Sequence, residues 1–307
     1  MSSLRAAVSA FIVFVAASEL PVPASAAANR QERTGETFVG TTPATPELLQ
    51  FLGAVGANAE LIEWKLSLQG NRSTARYTVS ATIGLTQANM PGISREKRHL
   101  DVGGSWSTAK GTRSNAMADV IVLGNLSFVR LGPSIIHALN QDRSLMTGNG
   151  GWSFSLNRSD RLEPLVDPTL VTQQSSVSYT ISPLSTGPSV YGVFEGRTPC
   201  QGVARAMRMT VDPSCAKVKW RVTLYQDPQT RTPSSYKVEG SLYRGAKSEG
   251  RWTIAQNQPG ALPVIRLESS ATFVQADDDV LLFADRQGNP LVGNASFSYT
   301  LDRRTRP

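Results

Sequence analysis

The chain has 307 residues, of which 31 are Lys or Arg and 24 are Asp or Glu, which gives a formal net charge of +7. Two histidines and two cysteines are too few for most zinc, haem or iron–sulfur sites built from several such ligands. Hydrophobic residues make up 40% of the chain, which is enough for a sizeable core. The sequence has no long run of basic residues and therefore does not indicate nucleic-acid binding. Its length predicts a folded protein of one large domain or two smaller ones.

The first 26 residues have the layout of a secretory signal peptide. Arg5 precedes an apolar run from Ala6 to Ala17, and the small residues Ala24 and Ala26 follow. The run is shorter than the roughly 20 residues that span a bilayer. We therefore expect cleavage after residue 26, export to the periplasm or the extracellular space, and no transmembrane segment.

The rest of the chain contains one pattern twice. Residues 38–43 match residues 194–199 at an offset of 156, and Phe128 matches Phe273 at an offset of 145. The first copy therefore carries about ten extra residues near 85–100. We predict a first repeat at residues 30–158, a linker at 159–189 and a second repeat at 190–307. The linker is rich in Ser, Thr, Pro and Gln, and its alternating stretch 177–181 is compatible with an additional edge strand.

Each copy has the pattern of an all-β domain with one short helix. Val218, Trp220 and Val222 alternate with polar residues, and the first copy repeats this around Trp64. Thr45 and Pro46 are typical of a helix start, and Gly53 of its end; residues 203–207 hold the counterpart in the second copy. About six to eight short strands per copy predict a sandwich or a small antiparallel barrel.

Cys200 and Cys215 are the only cysteines, and the first copy has Ala44 and Ala59 in their places. The paired replacement favours two sulfurs bonded to each other, as does export to an oxidising compartment. Such a bond would stabilise the fold by about 3 kcal/mol for a loop of about 15 residues. The alternative is a thiol pair that binds a soft metal such as copper(I).

The sequence indicates no catalytic residues. His99 lies among the extra residues of the first copy, and His137 lies in an apolar strand where the second copy has Leu282. Because neither histidine recurs, a Ser-His-Asp site has no support. We expect His99 to be solvated and His137 to be a packing residue.

Five aromatic residues are candidates for lining a ligand pocket, since small barrels line their cavities with such side chains. Four of them occupy equivalent places in the two copies, which is also typical of core residues. These candidates are Trp64, Trp106, Trp220, Trp252 and Tyr236.

The extra residues of the first copy are a candidate partner loop. They include Arg95, Lys97, Arg98 and His99, with Glu96 as the local acid. An insertion into a matched barrel has to lie at the surface, where its backbone groups remain hydrated. We predict an exposed hairpin extension at residues 85–100 that contacts an acidic partner or an anionic surface. The alternative is a mobile, solvated loop.

The second copy resembles the N-terminal domain family of the copper-resistance lipoprotein NlpE. The likeness rests on residues 193–200 (VFEGRTPC), followed by a short helix, a Trp-containing strand and a Gly-x-Trp strand. It implies lipocalin-like β-barrels, and through the duplication it extends to the first copy. It also implies a role in copper tolerance or envelope-stress sensing. Of that family's Cys-x-x-Cys pair only Cys200 is present, because Val203 takes the second place, and the lipid-attachment cysteine is missing.

From these features we expect two tandem lipocalin-like barrels in an exported, non-catalytic binding or envelope-stress and copper-homeostasis-type module. We predict no metal site or other cofactor, copper being the ion that the resemblance would imply. The expected partner is an unknown small ligand or an envelope protein. The alternatives are a structural or inhibitory envelope protein without a small ligand, and a hydrolase with an unrecognised site. A ligand would occupy a barrel mouth or the groove between the repeats, and a cavity of about 300 Å³ or more would favour binding.

Overall fold

The computed structural model describes residues 35–70, 75–87, 92–165, 183–240, 248–256, 261–268 and 271–304. The predicted signal peptide and the alternating stretch 177–181 lie outside these ranges. Within them, none of the helices has the length and apolar character needed to cross a membrane.

The first repeat folds into an antiparallel sheet of nine strands, called here the first sheet. Its strands are β1 Glu36–Pro43, β2 Leu61–Gln69, β3 Arg76–Leu85, β4 Arg95–Ser105, β5 Ser107–Lys110, β6 Asp119–Leu123, β7 Leu126–Arg130, β8 Ile135–Leu139 and β9 Ser155–Arg158. They are ordered β4-β3-β2-β1-β9-β8-β7-β6-β5. The strands at the two ends are consecutive in the chain and only Trp106 separates them. The sheet therefore curls into a half-barrel, and among the described residues no pairing between β4 and β5 closes it.

The second repeat folds into a closed barrel of eight antiparallel strands, called here the second barrel. Its strands are β10 Val190–Thr198, β11 Val218–Gln226, β12 Pro233–Gly240, β13 Glu249–Ala255, β14 Val264–Leu267, β15 Thr272–Gln275, β16 Val280–Ala284 and β17 Thr300–Arg303. Neighbours in the chain pair with each other, and β10 pairs with β17 to close the ring. The all-β prediction with barrels is therefore confirmed.

The pairing register is the same in both copies. Gly40 lies opposite Trp64 in the first sheet, and Gly196 lies opposite Trp220 in the second barrel. The closing pair recurs as well, since β1 meets β9 at Arg158 and β10 meets β17 at Arg303. The offsets seen in the sequence thus correspond to the same three-dimensional positions.

Alternation along the strands places one face of each in a core. On β11, Val218, Trp220, Val222 and Leu224 are at most 1% exposed, as expected for a period-2 pattern with one buried face. Each copy also has one short helix, α1 Pro46–Phe51 and α2 Cys200–Met207. The Thr45 hydroxyl accepts a hydrogen bond from the Leu48 N–H and caps α1, as its sequence predicts. α2 begins three residues earlier than expected, at Cys200.

Two segments outside the regular repeats differ from simple loops. The extra residues of the first copy extend β3 and β4, which pair from Leu85 and Arg95 onwards, and Ile93 near the hairpin tip is buried at 4% exposure. The start of the predicted linker packs against the second barrel. There the Glu163 carboxylate accepts hydrogen bonds from the Gly202 N–H and the Tyr299 hydroxyl.

Candidate functional site

The outer faces of the two repeats pack against each other along a surface called here the seam. A third apolar cluster fills the seam, apart from the cores of the first sheet and the second barrel. Its members are Val120, Val129, Leu131, Ile135, Leu139 and Leu145 from the first sheet, and Val264, Val274, Ala276, Val280, Leu282 and Ala284 from the second barrel. Val129 and Val274 are equivalent residues, as are Ile135 and Val280. The seam therefore joins the same face of each copy, as in a symmetric dimer.

Polar contacts across the seam also join equivalent residues. The hydroxyl of Ser153 lies 2.7 Å from that of Ser298, and the hydroxyl of Ser155 lies 2.8 Å from that of Thr300. The Trp152 and Phe297 rings stack with their centroids 6.1 Å apart. All three pairs share the offset of 145, so the seam is centred on the strands that end each repeat.

His137 extends this hydrogen-bonded chain into the first sheet. Its Nε2 lies 2.8 Å from the Met146 carbonyl oxygen and its Nδ1 lies 2.8 Å from the Ser155 hydroxyl. Since a carbonyl only accepts, Nε2 carries the proton and Ser155 donates to Nδ1. Burial lowers the pKa of His137 to about 4, so the ring is neutral at physiological pH. Because the His137 imidazole is 0% exposed, the Ser155–His137 pair links structural elements inside the protein.

One pair of equivalent residues in the seam differs in chemistry. The Asn157 side chain accepts from the Gly293 N–H at 3.0 Å and donates to the Asn294 carbonyl at 3.1 Å. Its equivalent, Asp302, faces the Gly148 N–H and is 1% exposed. Its Oδ1 atom has no hydrogen-bond partner among the described residues. Burial, together with the nearby Asp277 and Asp279 carboxylates, raises the pKa of Asp302 to about 7.

A groove opens along one part of the seam, with a volume of about 350 Å³. Most of its wall is apolar. Side chains from both repeats form this wall, among them Val129, Leu131, Leu145, Leu262, Val264 and Val274. This volume exceeds the roughly 300 Å³ above which we expect a small-ligand site.

A few polar groups line the same groove. They are Thr112, Asn115, Arg130 and Gln287. Arg130 forms an ion pair with Glu36, and the Oδ1 atom of Asn115 accepts from the Met117 N–H at 3.0 Å. The side-chain NH₂ groups of Asn115 and Gln287 donate to no other described residue, so both are available to a ligand.

A second cavity of about 500 Å³ adjoins the groove. The two share Asn115, Ala261, Leu262 and Ala276 as lining residues. This cavity is more polar, with the Tyr191 hydroxyl bonded to the Gln275 amide at 3.0 Å and Asp277 at its edge. Burial raises the pKa of Asp277 above its ordinary value.

The predicted disulfide between Cys200 and Cys215 is confirmed. The two Cα atoms are 5.8 Å apart, and the bond ties α2 to the segment that precedes β11. Both sulfurs are therefore unavailable as thiolate ligands. The described residues contain no group of three His, Cys, Asp or Glu side chains that would hold a metal ion. Cys200 and Cys215 thus cannot hold, as a thiolate pair, the copper ion that the family resemblance implies.

The aromatic candidates for pocket lining lie within the two repeats rather than in the seam. Trp64, Trp220, Trp252 and Tyr236 are buried in the cores, and Trp106 packs at the edge of the first core. Each polar atom is bonded within the protein; for example, the Trp64 Nε1 donates to the Thr42 hydroxyl at 2.9 Å. None of the five is among the described residues that form the groove. That these five side chains line a ligand pocket stays a prediction.

The candidate partner loop is part of a strand. Arg95, Lys97, Arg98 and His99 are exposed residues of β4, and the His99 imidazole lies 3.4 Å from the Asp101 carboxylate. β4 is hydrogen-bonded to β3 alone among the described strands. That these four β4 residues contact an acidic partner or an anionic surface stays a prediction.

Sequence reasoning did not identify the seam or the groove beside it. For the seam, the available signal was the apolar character of 280–284 and, apart from His137, of 135–139, because a strand of a barrel wall that faces solvent alternates and these do not. Every residue of β8 and of β16 is buried. The strands are covered by a core on one side and by the seam on the other.

Comparison of the chain with protein-family models, with curated proteins and with solved structures finds no match.

Proposed function

We propose that this protein is an exported, non-catalytic binding module whose ligand occupies the groove between its two repeats. The observation that carries the proposal is the groove itself, about 350 Å³ in volume and walled mainly by apolar side chains. Small-molecule sites are concave and mostly apolar, with a few polar groups that fix orientation. The two uncommitted amides, Asn115 and Gln287, fit that description.

The same lining defines the ligand class. An apolar wall selects a small, largely apolar molecule, and two amide donors select a molecule with one or two hydrogen-bond acceptors such as carbonyl or ether oxygens. The ion pair that already occupies Arg130 argues against a ligand anion at that residue. Copper is not part of the proposal, because both cysteines are in the disulfide.

The disulfide and the first 26 residues together support export. A disulfide persists in oxidising compartments such as the periplasm or the extracellular space, and the N-terminal sequence has the layout of a signal peptide. N-terminal sequencing of the mature protein tests this part, with a start at Ala27 as the expected result.

The binding proposal is tested with the neutral hydrophobic dye N-phenyl-1-naphthylamine, whose fluorescence rises in apolar surroundings. We expect the dye to bind the protein, and Ala261→Trp to weaken binding by about 10-fold or more, because the indole would fill part of the groove. Ala261 is exposed at the groove edge, so the substitution leaves the cores intact. The matched control is Ala255→Trp, at an exposed residue of β13 that does not line the groove.

Two results would contradict the proposal. If the dye does not bind the unsubstituted protein, the groove is not an apolar site, and the structural or inhibitory alternative gains support. If the dye binds and Ala261→Trp leaves its affinity unchanged while the variant remains folded, the ligand site lies elsewhere.

A further inference from the structure

Two cations flank the aromatic pair that crosses the seam. The Arg197 guanidinium carbon lies 5.1 Å from the centre of the Trp152 ring, and the Lys217 ammonium lies 5.8 Å from the centre of the Phe297 ring. The two rings stack on each other. Arg197 and Lys217 are therefore held on adjacent aromatic surfaces at one place, although they come from β10 and from the segment before β11.

Neither cation has an acidic partner among the described residues. The one carboxylate on β10, that of Glu195, is already bound to Arg221 at 2.6 Å and to Arg304 at 3.3 Å. Contact with an aromatic face offsets only part of the cost of burying a charge. Two neighbouring half-buried cations without an acidic partner among the described residues are thus an unfavourable arrangement.

The electrostatics of the two groups agree with this geometry. Burial lowers the pKa of the Arg197 guanidinium. Burial, and then the charge of Arg197, lower the pKa of the Lys217 ammonium. The same surface also holds an unused donor, because the Trp152 Nε1 is buried without a hydrogen-bond partner among the described residues.

We propose that Arg197 and Lys217 form a binding site for an oxyanion, namely a phosphate, a sulfate or the carboxylate of an acidic ligand, at the Trp152–Phe297 stack. The planar fork of Arg197 suits bidentate contact with such an anion, and Lys217 adds a second charge. The anion supplies the counter-ion that the protein lacks at this place. The site is separate from the apolar groove and stands whether or not the groove binds a ligand.

The test is thermal unfolding of the full chain in inorganic phosphate, sulfate or acetate, each compared with chloride at equal ionic strength. A ligand that binds only the folded state raises the Tm in a concentration-dependent way. We expect at least one oxyanion to raise the Tm above its value in chloride, and the preferred anion identifies the headgroup chemistry. We expect Arg197→Gln and Lys217→Gln each to raise the apparent Kd by about 10-fold or more, since each removes a charge-assisted hydrogen bond to the anion. The matched control is Lys97→Gln, at an exposed lysine of β4 in the first sheet, which should keep the response.

A second variant separates binding from general stability. Lys217→Glu places a carboxylate beside Arg197, so we expect a higher Tm than that of the unsubstituted protein in chloride and no further rise with the oxyanion. The proposal is overturned if none of the three anions exceeds chloride. It is equally overturned if Arg197→Gln or Lys217→Gln responds to the anion as the unsubstituted protein does.

Discussion

Asp302→Asn tests the reasoning about the seam, because the first copy already has asparagine at the equivalent position. Asp302 is 1% exposed and one of its oxygens has no partner among the described residues. Asn157 uses both its oxygen and its amide across the seam. By equivalence with Asn157 and Asn294, we expect the substituted amide to donate to the Asn149 carbonyl, which also accepts from Arg304 at 2.9 Å.

The size of the effect follows from the pKa of Asp302. Burial in the first place, and then the Asp277 and Asp279 carboxylates, raise it to about 7, against the lowering influence of the Gly148 N–H and Arg304. Between about pH 4 and pH 7 the folded protein therefore holds a proton that the unfolded chain has released. The contribution of Asp302 to stability falls as the pH rises through this window and is constant above it. The rise of the pKa of Asp302 from its ordinary value of 3.8 to about 7 corresponds to a loss of about 4 kcal/mol in the free energy of unfolding above pH 7.

The assay is urea unfolding followed by tryptophan fluorescence at pH 5 and at pH 8. We expect Asp302→Asn to raise the free energy of unfolding by about 2–4 kcal/mol at pH 8 and by far less at pH 5. Asn157→Asp is the matched reverse change, and it should lower stability more at pH 8 than at pH 5. An equal effect of Asp302→Asn at both pH values would refute the reasoning.

Three further changes have defined outcomes. Gly293→Ala should lower the free energy of unfolding in urea by about 1–3 kcal/mol, because the added Cβ would lie 2.2 Å from the Phe297 carbonyl oxygen. Unchanged stability would contradict this close approach of Gly293 to Phe297. Replacing Cys200 and Cys215 by alanine should lower the free energy of unfolding by about 3 kcal/mol, because the disulfide closes a loop with a separation of 15 residues. An equally stable variant would show that the loop is ordered without the disulfide. His137→Leu should gain stability relative to the unsubstituted protein as the pH falls from about 6.5 to 4, because only the unfolded chain protonates His137 in that window; a pH-independent difference would contradict a neutral buried imidazole.

Much of the architecture could be predicted from local sequence. The duplication was visible because Trp64 and Trp220 keep both their type and their spacing from a preceding glycine, and the structure places each opposite that glycine. The helix start at Thr45 followed from a capping side chain and a proline at the first position. These features depend on neighbours within a few residues or on one alternating face.

The seam could not be predicted in the same way. Its contacts join residues 145 positions apart, such as Ser153 with Ser298, and serine carries no sequence signal for that pairing. His137 was expected to be a packing residue; the structure buries it but also gives both ring nitrogens hydrogen bonds. The sequence predicts an exposed hairpin at 85–100; residues 95–99 are exposed, whereas Ile93 is buried. These contacts join different segments of the chain, and the alternation within a single strand does not predict them.

The most direct test of the proposed function is a crystal structure of the protein soaked with N-phenyl-1-naphthylamine. The account predicts density for the dye in the groove, against Val129, Val264 and Val274. Density inside the core of either repeat, or at no place along the seam, would contradict the assignment of the groove as the ligand site.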